Sequence, residues 1–352
     1  MTDLLDDELN LKLLNYLVSG KGVEINISEL SKTLKKHRNT IKDRVDKLFE
    51  RKIINPPKYP FPHLFRELPL MVISRNNFLR DEKTKQFIEY ADPIFAAFFF
   101  KEEEYNTLMI SFHKNVCVHQ QWSEEIIKRG IIPYREEGYH SQVLHLGTGC
   151  FQKYSPSIVI KLIEQNIKDE RQKSILGYEL DDLSLDILKK LLRGIGIRTN
   201  ENFLAKEINI HRKTIERRIH NLITNGIINR PVCRFPSLIV PPEYILVKSL
   251  IQVKKDSEKI SKKFLADPHV TWMIKAVTGR GGYNLVIFSS YYKIEDHLEW
   301  QEKLDQEFPN CIGSIKNTYL SPSMTFSISP EYVSIRIIKN RLKQIHKKEL
   351  IN

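Results

Sequence analysis

The sequence states one unit twice at a fixed offset. His37-Arg38-Asn39-Thr40-Ile41-Lys42-Asp43-Arg44 is matched by His211-Arg212-Lys213-Thr214-Ile215-Glu216-Arg217-Arg218. The register continues through Leu48 and Leu222 to Ile53-Ile54-Asn55 and Ile227-Ile228-Asn229. It also runs back, pairing Leu9, Leu11, Leu14 and Leu17 with Leu183, Leu185, Leu188 and Leu191, each pair 174 residues apart like His37 and His211. Self-similarity at one offset constrains the architecture before any local assignment. A period this long is a domain-scale duplication rather than a solenoid repeat. The chain therefore reads as a covalently joined counterpart of a symmetric dimer.

Hydrophobic spacing divides each copy into two parts. In the first copy, helical periodicity predicts helices over 7–18, from Ser28 through Leu34, and over 38–51 with Ile41, Val45 and Leu48 inside. Pro56, Pro57, Pro60 and Pro62 follow, which suits a short wing strand or an extended connector. The period then changes. Strands are predicted over 70–74, 94–100 and 107–112 and from Ile131, with helices over 82–90 and 116–129. That is the β-α-β-β-α-β order of a ferredoxin-like domain. A basic amphipathic segment runs from Ser155 to Gln172.

The second copy repeats this with helices over 184–193, 201–207 and 212–224, strands over 244–253, 271–277, 284–289 and 312–319, and helices over 257–266 and 294–307. The predicted class is α+β, with winged helix-turn-helix domains alternating with ferredoxin-like domains, internally duplicated. The expected layout is a first head over 1–62, a first ferredoxin-like sensing and pairing domain over 63–150, and a basic linker over 151–180. A second head over 181–236, a second ferredoxin-like domain over 237–322 and a basic tail over 323–352 complete it.

At 352 residues the chain has room for several ordinary cores, and 41% hydrophobic with 28% charged residues is the balance of a soluble globular protein. A net charge of +12 favours a polyanionic partner or a merely solubilising surface. The four cysteines, Cys117, Cys150, Cys233 and Cys311, lack C-x-x-C spacing and are expected to be reduced and mostly buried, without zinc or disulfides. The acidic start, Met1 to Asp7, is not a signal peptide, and the apolar stretch Pro93 to Phe100 is too short to cross a bilayer. The expected compartment is the cytoplasm of a prokaryote.

In a helix-turn-helix the second helix lies in the major groove with its first residues at base edges. Arg38, Asn39, Thr40, Lys42 and Asp43, and at matching positions Arg212, Lys213, Thr214, Glu216 and Arg217, form the expected reading faces. Arg suits guanine and Asn suits adenine, while Lys35, Lys36, Arg44, Lys47, Lys52, Lys206 and Arg218 suit phosphate. Arg44 and Arg218 equally suit a structural role bridging helices. The bland reading of both helices is a solvated face. Buried positions agree between copies while outer ones diverge, so the two heads are expected to read different half-sites.

Thr40-Ile41-x-x-Arg44-Val45-x-x-Leu48 with Ile53-Ile54, and Thr214-Ile215-x-x-Arg218-Ile219-x-x-Leu222 with Gly226-Ile227-Ile228, resemble the recognition helix and exit of the Lrp/AsnC (feast/famine) regulators. Gly281-Gly282-Tyr283-Asn284 resembles the family's G-x-Y-D turn, which implies a ligand site there. His37 and His211 replace the family's usual serine, and the first copy has Glu103-Glu104-Tyr105-Asn106 at the turn. The resemblance implies a non-enzymatic transcription regulator binding double-stranded DNA. It further implies a small effector, an amino acid, and a pseudo-dimer within one chain that can pair again as a homodimer.

Two other readings stay open. Sirohaem decarboxylases resemble the same architecture, and such an enzyme would place His and Arg in a tetrapyrrole groove. Here His113, His119, His140, His145 and His269 are scattered without ligating spacing. The third reading is an interaction scaffold that has lost DNA binding. No G-x-S-x-G, P-loop or H-E-x-x-H is present, and Gly279-Arg280-Gly281-Gly282 sits between predicted strands as a hairpin. No cofactor or metal is expected.

Overall fold

The structure is a computed structural model. It describes residues 8–9, 12–13, 23–51, 55–58, 68–91, 93–100, 104–133, 141–148, 151–154, 160–171, 174–175, 177–179, 181–184, 197–199, 201–224, 232–234, 243–275, 282–320 and 347. The described elements begin with β1 (Val23–Ile25), α1 (Ile27–Leu34), α2 (Arg38–Glu50), β2 (Asn55–Lys58), β3 (Leu70–Asn76) and α3 (Glu82–Tyr90). Next come β4 (Ile94–Phe99), β5 (Thr107–His113), α4 (Val116–Lys128), β6 (Ser141–Thr148), β7 (Phe151–Tyr154) and α5 (Ile160–Lys168). Then follow β8 (Ser174–Ile175), β9 (Tyr178–Glu179), β10 (Ile197–Thr199), α6 (Glu201–Ile208), α7 (Arg212–Thr224) and β11 (Val232–Arg234). The last are β12 (Ile245–Val253), α8 (Ser257–Ala266), β13 (Val270–Lys275), β14 (Leu285–Tyr291), α9 (Ile294–Glu307) and β15 (Ile312–Leu320). Two compact units result, one of 1–67, 181–234 and 329–352, the other of 68–180 and 235–328.

The first unit holds both helix-turn-helix heads. The turn between α1 and α2 needs a left-handed residue, supplied by Lys35 (φ 52°) and, between α6 and α7, by Asn209 (φ 57°). His37 caps α2 by accepting from the Asn39 amide at 3.3 Å, and His211 accepts from Lys213 at the same distance. An imidazole Nδ1 thus does what a capping hydroxyl does, satisfying one of the orphan amides of the first turn. Ile41, Val45 and Leu48 are buried under α2, and Ile215 and Ile219 under α7. Two ribbons link the copies. β1 pairs antiparallel with β10, Glu24 opposite Arg198. β2 pairs antiparallel with β11, so the proline-rich exit of one head meets the exit of the other.

In the second unit, each copy of the ferredoxin-like motif forms a sheet with the expected crossover. The first is ordered β4-β5-β3-β6 and the second β15-β12-β14-β13-β7. On one face of each sheet lie the helices. Phe78, Ile88, Ala97, Met109 and Ile126 fill the first helix-side core, and Val247, Ile251, Phe264, Met273 and Trp300 the second. The opposite faces meet each other. Phe98 lies 5.8 Å from Phe288 and Phe95 lies 6.5 Å from Trp272 between ring centroids. The buried Arg75 donates from Nη2 to Thr318 Oγ1 at 2.8 Å across the same layer. With both faces covered, β3, β5 and β14 are buried along their length, polar residues such as Ser74, Arg75 and Asn76 included.

Three details depart from the sequence expectation. The fourth strand of the first sheet is Ser141–Thr148, not a strand from Ile131. Ile131 and Ile132 instead close the helix-side core after α4, where hydrophobic burial alone suffices. Cys117 is exposed rather than buried. The third departure is β7, a strand of the first copy that pairs with β13 of the second copy's sheet. Lys153 on β7 is buried and donates from Nζ to the carbonyls of Phe264 (3.0 Å) and Asp267 (2.8 Å), the C-terminal end of α8.

Burial pushes the Lys153 ammonium down to about 8. The folded chain then releases this proton earlier than the unfolded one, whose lysine titrates near 10.5. Stability is expected to rise as pH climbs from about 8 through that range. Lys153→Met should remove this rise and, at pH 7, cost about 1–3 kcal/mol by leaving buried carbonyls without a donor. Urea midpoints measured at pH 7 and pH 10 on both proteins check this.

Candidate functional site

The register of the two sheets aligns the copies residue by residue and shows where they differ. Asn76 pairs with Thr107 and Ile251 with Leu285 at the matching ends of β3–β5 and β12–β14. Ile94 pairs with Ser111 and Val270 with Ser289, each followed by a bulge. Val72 pairs with Leu146 and Val247 with Tyr319 on the fourth strands. In this register His113 corresponds to Tyr291, His119 to His297, Trp122 to Trp300, Leu146 to Tyr319, Ala91 to Asp267 and Pro93 to His269. The turn backbone agrees, since Phe112 N donates to Pro93 O and Ser290 N donates to His269 O.

One contact is common to both copies. Asn106 donates from Nδ2 to Phe78 O (2.8 Å) and accepts from Phe78 N (3.0 Å), and Asn284 does the same with Val253 at 2.8 and 2.9 Å. The amide therefore clamps the turn before the third strand to the end of the first. Asn284, expected as a ligand residue from the resemblance, spends its side chain on that clamp. Gly282 sits at φ +74°, Tyr283 is half-buried, and Gly281 lies outside the described residues.

Between sheet and helices, each copy carries a cluster of polar aromatic side chains. In the first, His113 Nε2 lies 2.9 Å from Ser111 Oγ and 3.3 Å from His119 Nδ1, with Trp122 5.2 Å away by ring centroids. Burial, reinforced by the His119 charge, pushes His113 down to about 3. His119 is lowered by burial as well. Both imidazoles are neutral at pH 7.

The second cluster is built differently. Asp267, the C-cap of α8, accepts from Trp300 Nε1 at 2.6 Å and from the His269 amide at 2.9 Å, and its Oδ1 is 3.1 Å from His269 Nδ1. Burial works against the Asp267 charge, but His269 and then Trp300 outweigh it and hold the carboxyl below its usual range. The His269 ring stacks on Tyr291 at 4.8 Å, and Tyr291 lies 4.7 Å from His297. Burial, then the His269 charge, pushes His297 down to about 4. His297 Nδ1 meets the Tyr319 hydroxyl at 3.1 Å. His297 is fully buried, whereas 27% of the His269 side chain and 43% of Tyr319 are exposed. The arrangement is an ionised carboxylate fixing the tautomer of a solvent-reaching imidazole, which is the geometry of a general acid or base.

His113, His119 and His269, scattered in sequence, are thus placed in two clusters, while His145 is buried on the facing layer with both ring nitrogens unpaired by hydrogen bonds. His140 lies outside the described residues. Tyr291, His297, Trp300, Tyr319 and Asp267 were missed by sequence reasoning. The missed signal was the repeat itself, because His119 and Trp122 recur as His297 and Trp300 at one offset. Among the described residues no group of three His, Cys, Asp or Glu side chains could hold a metal ion. Among them, too, no helix is long and apolar enough to cross a membrane.

The expected DNA-reading residues lie on the outer faces of α2 and α7. Arg38, Asn39, Thr40, Lys42 and Asp43 are exposed, as are Arg212, Lys213, Glu216 and Arg217, with Thr214 half-buried. Arg44 takes the structural alternative. It pairs with the Asp181 carboxylate and donates to Ser184 Oγ at 2.9 Å. Arg218 is half-buried.

No family model matches the sequence, and no curated protein matches it. Among solved structures, the fold is similar to the siroheme decarboxylase NirDL in co-complex with an iron-uroporphyrin III analogue. That match has a TM-score of 0.51 at 12% identity and covers 97% of this chain and 99% of that one. NirDL without that analogue gives a TM-score of 0.49 at 12% identity over 96% of this chain and 99% of that one. A mutant chlorite dismutase from Candidatus Nitrospira defluvii gives 0.32 at 11% identity over 79% and 98%.

The α+β class and its duplication stand. The reading as a non-enzymatic Lrp/AsnC transcription regulator, with double-stranded DNA and an amino-acid effector as partners, does not. The structure that this chain matches end to end, heads included, is an enzyme's. The physical reason is that an exposed, basic recognition helix is equally a solvated face, and a fold does not carry its function with it.

Proposed function

We propose that this protein is an enzyme of the sirohaem decarboxylase kind, acting on an iron tetrapyrrole that carries several carboxylates. The observation that carries this reading is the end-to-end likeness to siroheme decarboxylase NirDL, which spans both copies of both domains. Two properties of the chain support it. A net charge of +12 complements a polyanionic macrocycle, and steers it by long-range attraction. The second polar cluster supplies an acid or base beside exposed aromatic surface. In this reading the iron arrives with the substrate.

Decarboxylation of an acetate arm needs a group to hold the arm, an electron sink and a proton. The conjugated macrocycle is the sink. The protein must supply the proton and exclude competing reactions.

The test is a titration of the purified protein with iron uroporphyrin III, followed by visible absorption, and incubation with sirohaem under anaerobic conditions. A saturable spectral change, together with CO2 release and product masses lower by whole CO2 units, is the expected result. Neither binding nor CO2 release would refute the reading.

A further inference from the structure

Duplication supplies an internal control for deciding which polar residues the fold requires. The asparagine clamp, the serine of the third strand, the helix histidine and the helix tryptophan recur in both copies as Asn106/Asn284, Ser111/Ser289, His119/His297 and Trp122/Trp300. Those are demands of the fold. The copies differ around the second cluster, and at one of its positions the first copy has His113 where the second has Tyr291. Where the first copy has Ala91, Pro93 and Leu146, the second has Asp267, His269 and Tyr319. Burying the Asp267 carboxylate is costly unless it is well hydrogen-bonded, and here three donors converge on it. The first copy folds in the same register without that carboxylate, so the fold does not require it.

We infer that the chain carries one reactive centre, in its second ferredoxin-like half, where His269 held by Asp267 delivers the proton of the reaction. The inference rests on the decarboxylase reading above. Asp267 accepts from Nδ1–H and so leaves Nε2 as the nitrogen that exchanges protons. Loss of CO2 from the acetate arm breaks the bond between the arm's methylene and its carboxyl carbon. The electron pair stays on the methylene, delocalised into the macrocycle. The protonated His269 gives its Nε2 proton to that carbon, which becomes a methyl group. Solvent at the exposed edge of the ring then returns a proton to Nε2. One proton is consumed per CO2 released, and no oxidant or reductant is needed. Asp267 and Tyr291 are positioning residues, one fixing the tautomer and the other the plane of the ring. The groups facing His269 are Asp267, Tyr291 and His297, with Lys153 held on the Asp267 carbonyl.

The experiment compares His269→Gln with His113→Tyr, which installs in the first copy the residue the second copy has there. His269→Gln should bind iron uroporphyrin III within about 2-fold of wild type, yet release CO2 from sirohaem at least about 100-fold more slowly. His113→Tyr should leave both unchanged. In Asp267→Asn the alkaline limb of the pH–rate profile should move to lower pH, because a carboxylate favours the imidazolium that donates the proton. A purely structural Asp267 would lower the rate without moving that limb.

An arm independent of any substrate uses diethyl pyrocarbonate and peptide mass spectrometry. His269 should be carbethoxylated in the native protein, while His113, His119, His145 and His297 are protected. An active His269→Gln variant, or a native His269 that resists the reagent, overturns the inference alone. A wild-type protein that neither binds nor decarboxylates a tetrapyrrole overturns the functional reading and the inference with it.

Discussion

Below about pH 6.5 the protein is expected to lose stability steeply, by several kcal/mol before pH 4 is reached. Four buried histidines set this. Burial and the neighbouring His119 hold His113 down to about 3, and burial with the His269 charge holds His297 down to about 4. Burial lowers His119 and His145 too. In the unfolded chain each would titrate near 6.5. Between that value and the folded one, the unfolded state takes up protons that the folded state refuses. The stability is therefore fully present above pH 6.5 and is lost as pH falls toward 4. His145 adds to this, since both its ring nitrogens are buried without a hydrogen-bond partner. Urea midpoints measured from pH 7.5 to pH 4.5 should fall continuously. His113→Phe should flatten that fall while leaving the pH 7.5 midpoint nearly unchanged. A wild-type midpoint that stays level to pH 5 would contradict the burial of these rings.

Trp272→Ala is expected to cost about 3–5 kcal/mol, the range for deleting a large aromatic from a core. Trp272 is fully buried, stacks on Phe288 at 4.7 Å and meets Phe95 edge-on at 6.5 Å. It stands where the first copy has Ala96, at the register position facing Ile110 and Phe288 respectively. One indole thus fills a position between the two sheets that the first copy gives to a small, equally buried residue. Removing it leaves a cavity beside Phe288 and Phe95. Trp272→Phe should cost less than half as much. Calorimetry of the two variants at pH 7.5 gives the comparison. Equal melting temperatures for the alanine variant and wild type would rule out a close-packed layer between the sheets.

Much of the fold was legible in the sequence because it depends on local periodicity. Helices over Glu82–Tyr90, Arg212–Thr224, Ser257–Ala266 and Ile294–Glu307 lie where spacing and capping residues put them. The first of them is also bounded by a local cap, Asp81 accepting from Thr84 N at 2.7 Å. The strand from Ile131 failed for the opposite reason. An apolar pair after a helix is as suitable for plugging a core as for starting a strand, and only the partner strand β3 decides which. β7 was invisible for the same reason, because its partner β13 belongs to the other copy.

The candidate site was far less legible. Asp267 and Trp300 are 33 positions apart in sequence, and Tyr319 lies on the strand that follows the Trp300 helix, so no motif joins them. The histidines looked scattered because sequence spacing measures distance along the chain. In a sheet, the neighbours of a residue are set by register, and a single bulge moves every later side chain by one position. The functional reading erred in the other direction. Two conspicuous basic helices drew the inference toward DNA, although charge on an exposed helix is the least specific of signals.

By itself the sequence determined that one α+β unit occurs twice, where several of its described helices lie, and that each copy carries a helix-turn-helix; the helices expected over 7–18 and 184–193 lie almost wholly outside the described residues. All of these follow from short-range patterning. Only the tertiary structure decided that two heads share ribbons through β1–β10 and β2–β11, that Arg44 is an ion-pair residue, and that the two copies differ at a polar cluster. Those depend on which strands pair and in what register, and so on contacts between residues that the chain keeps far apart until it folds.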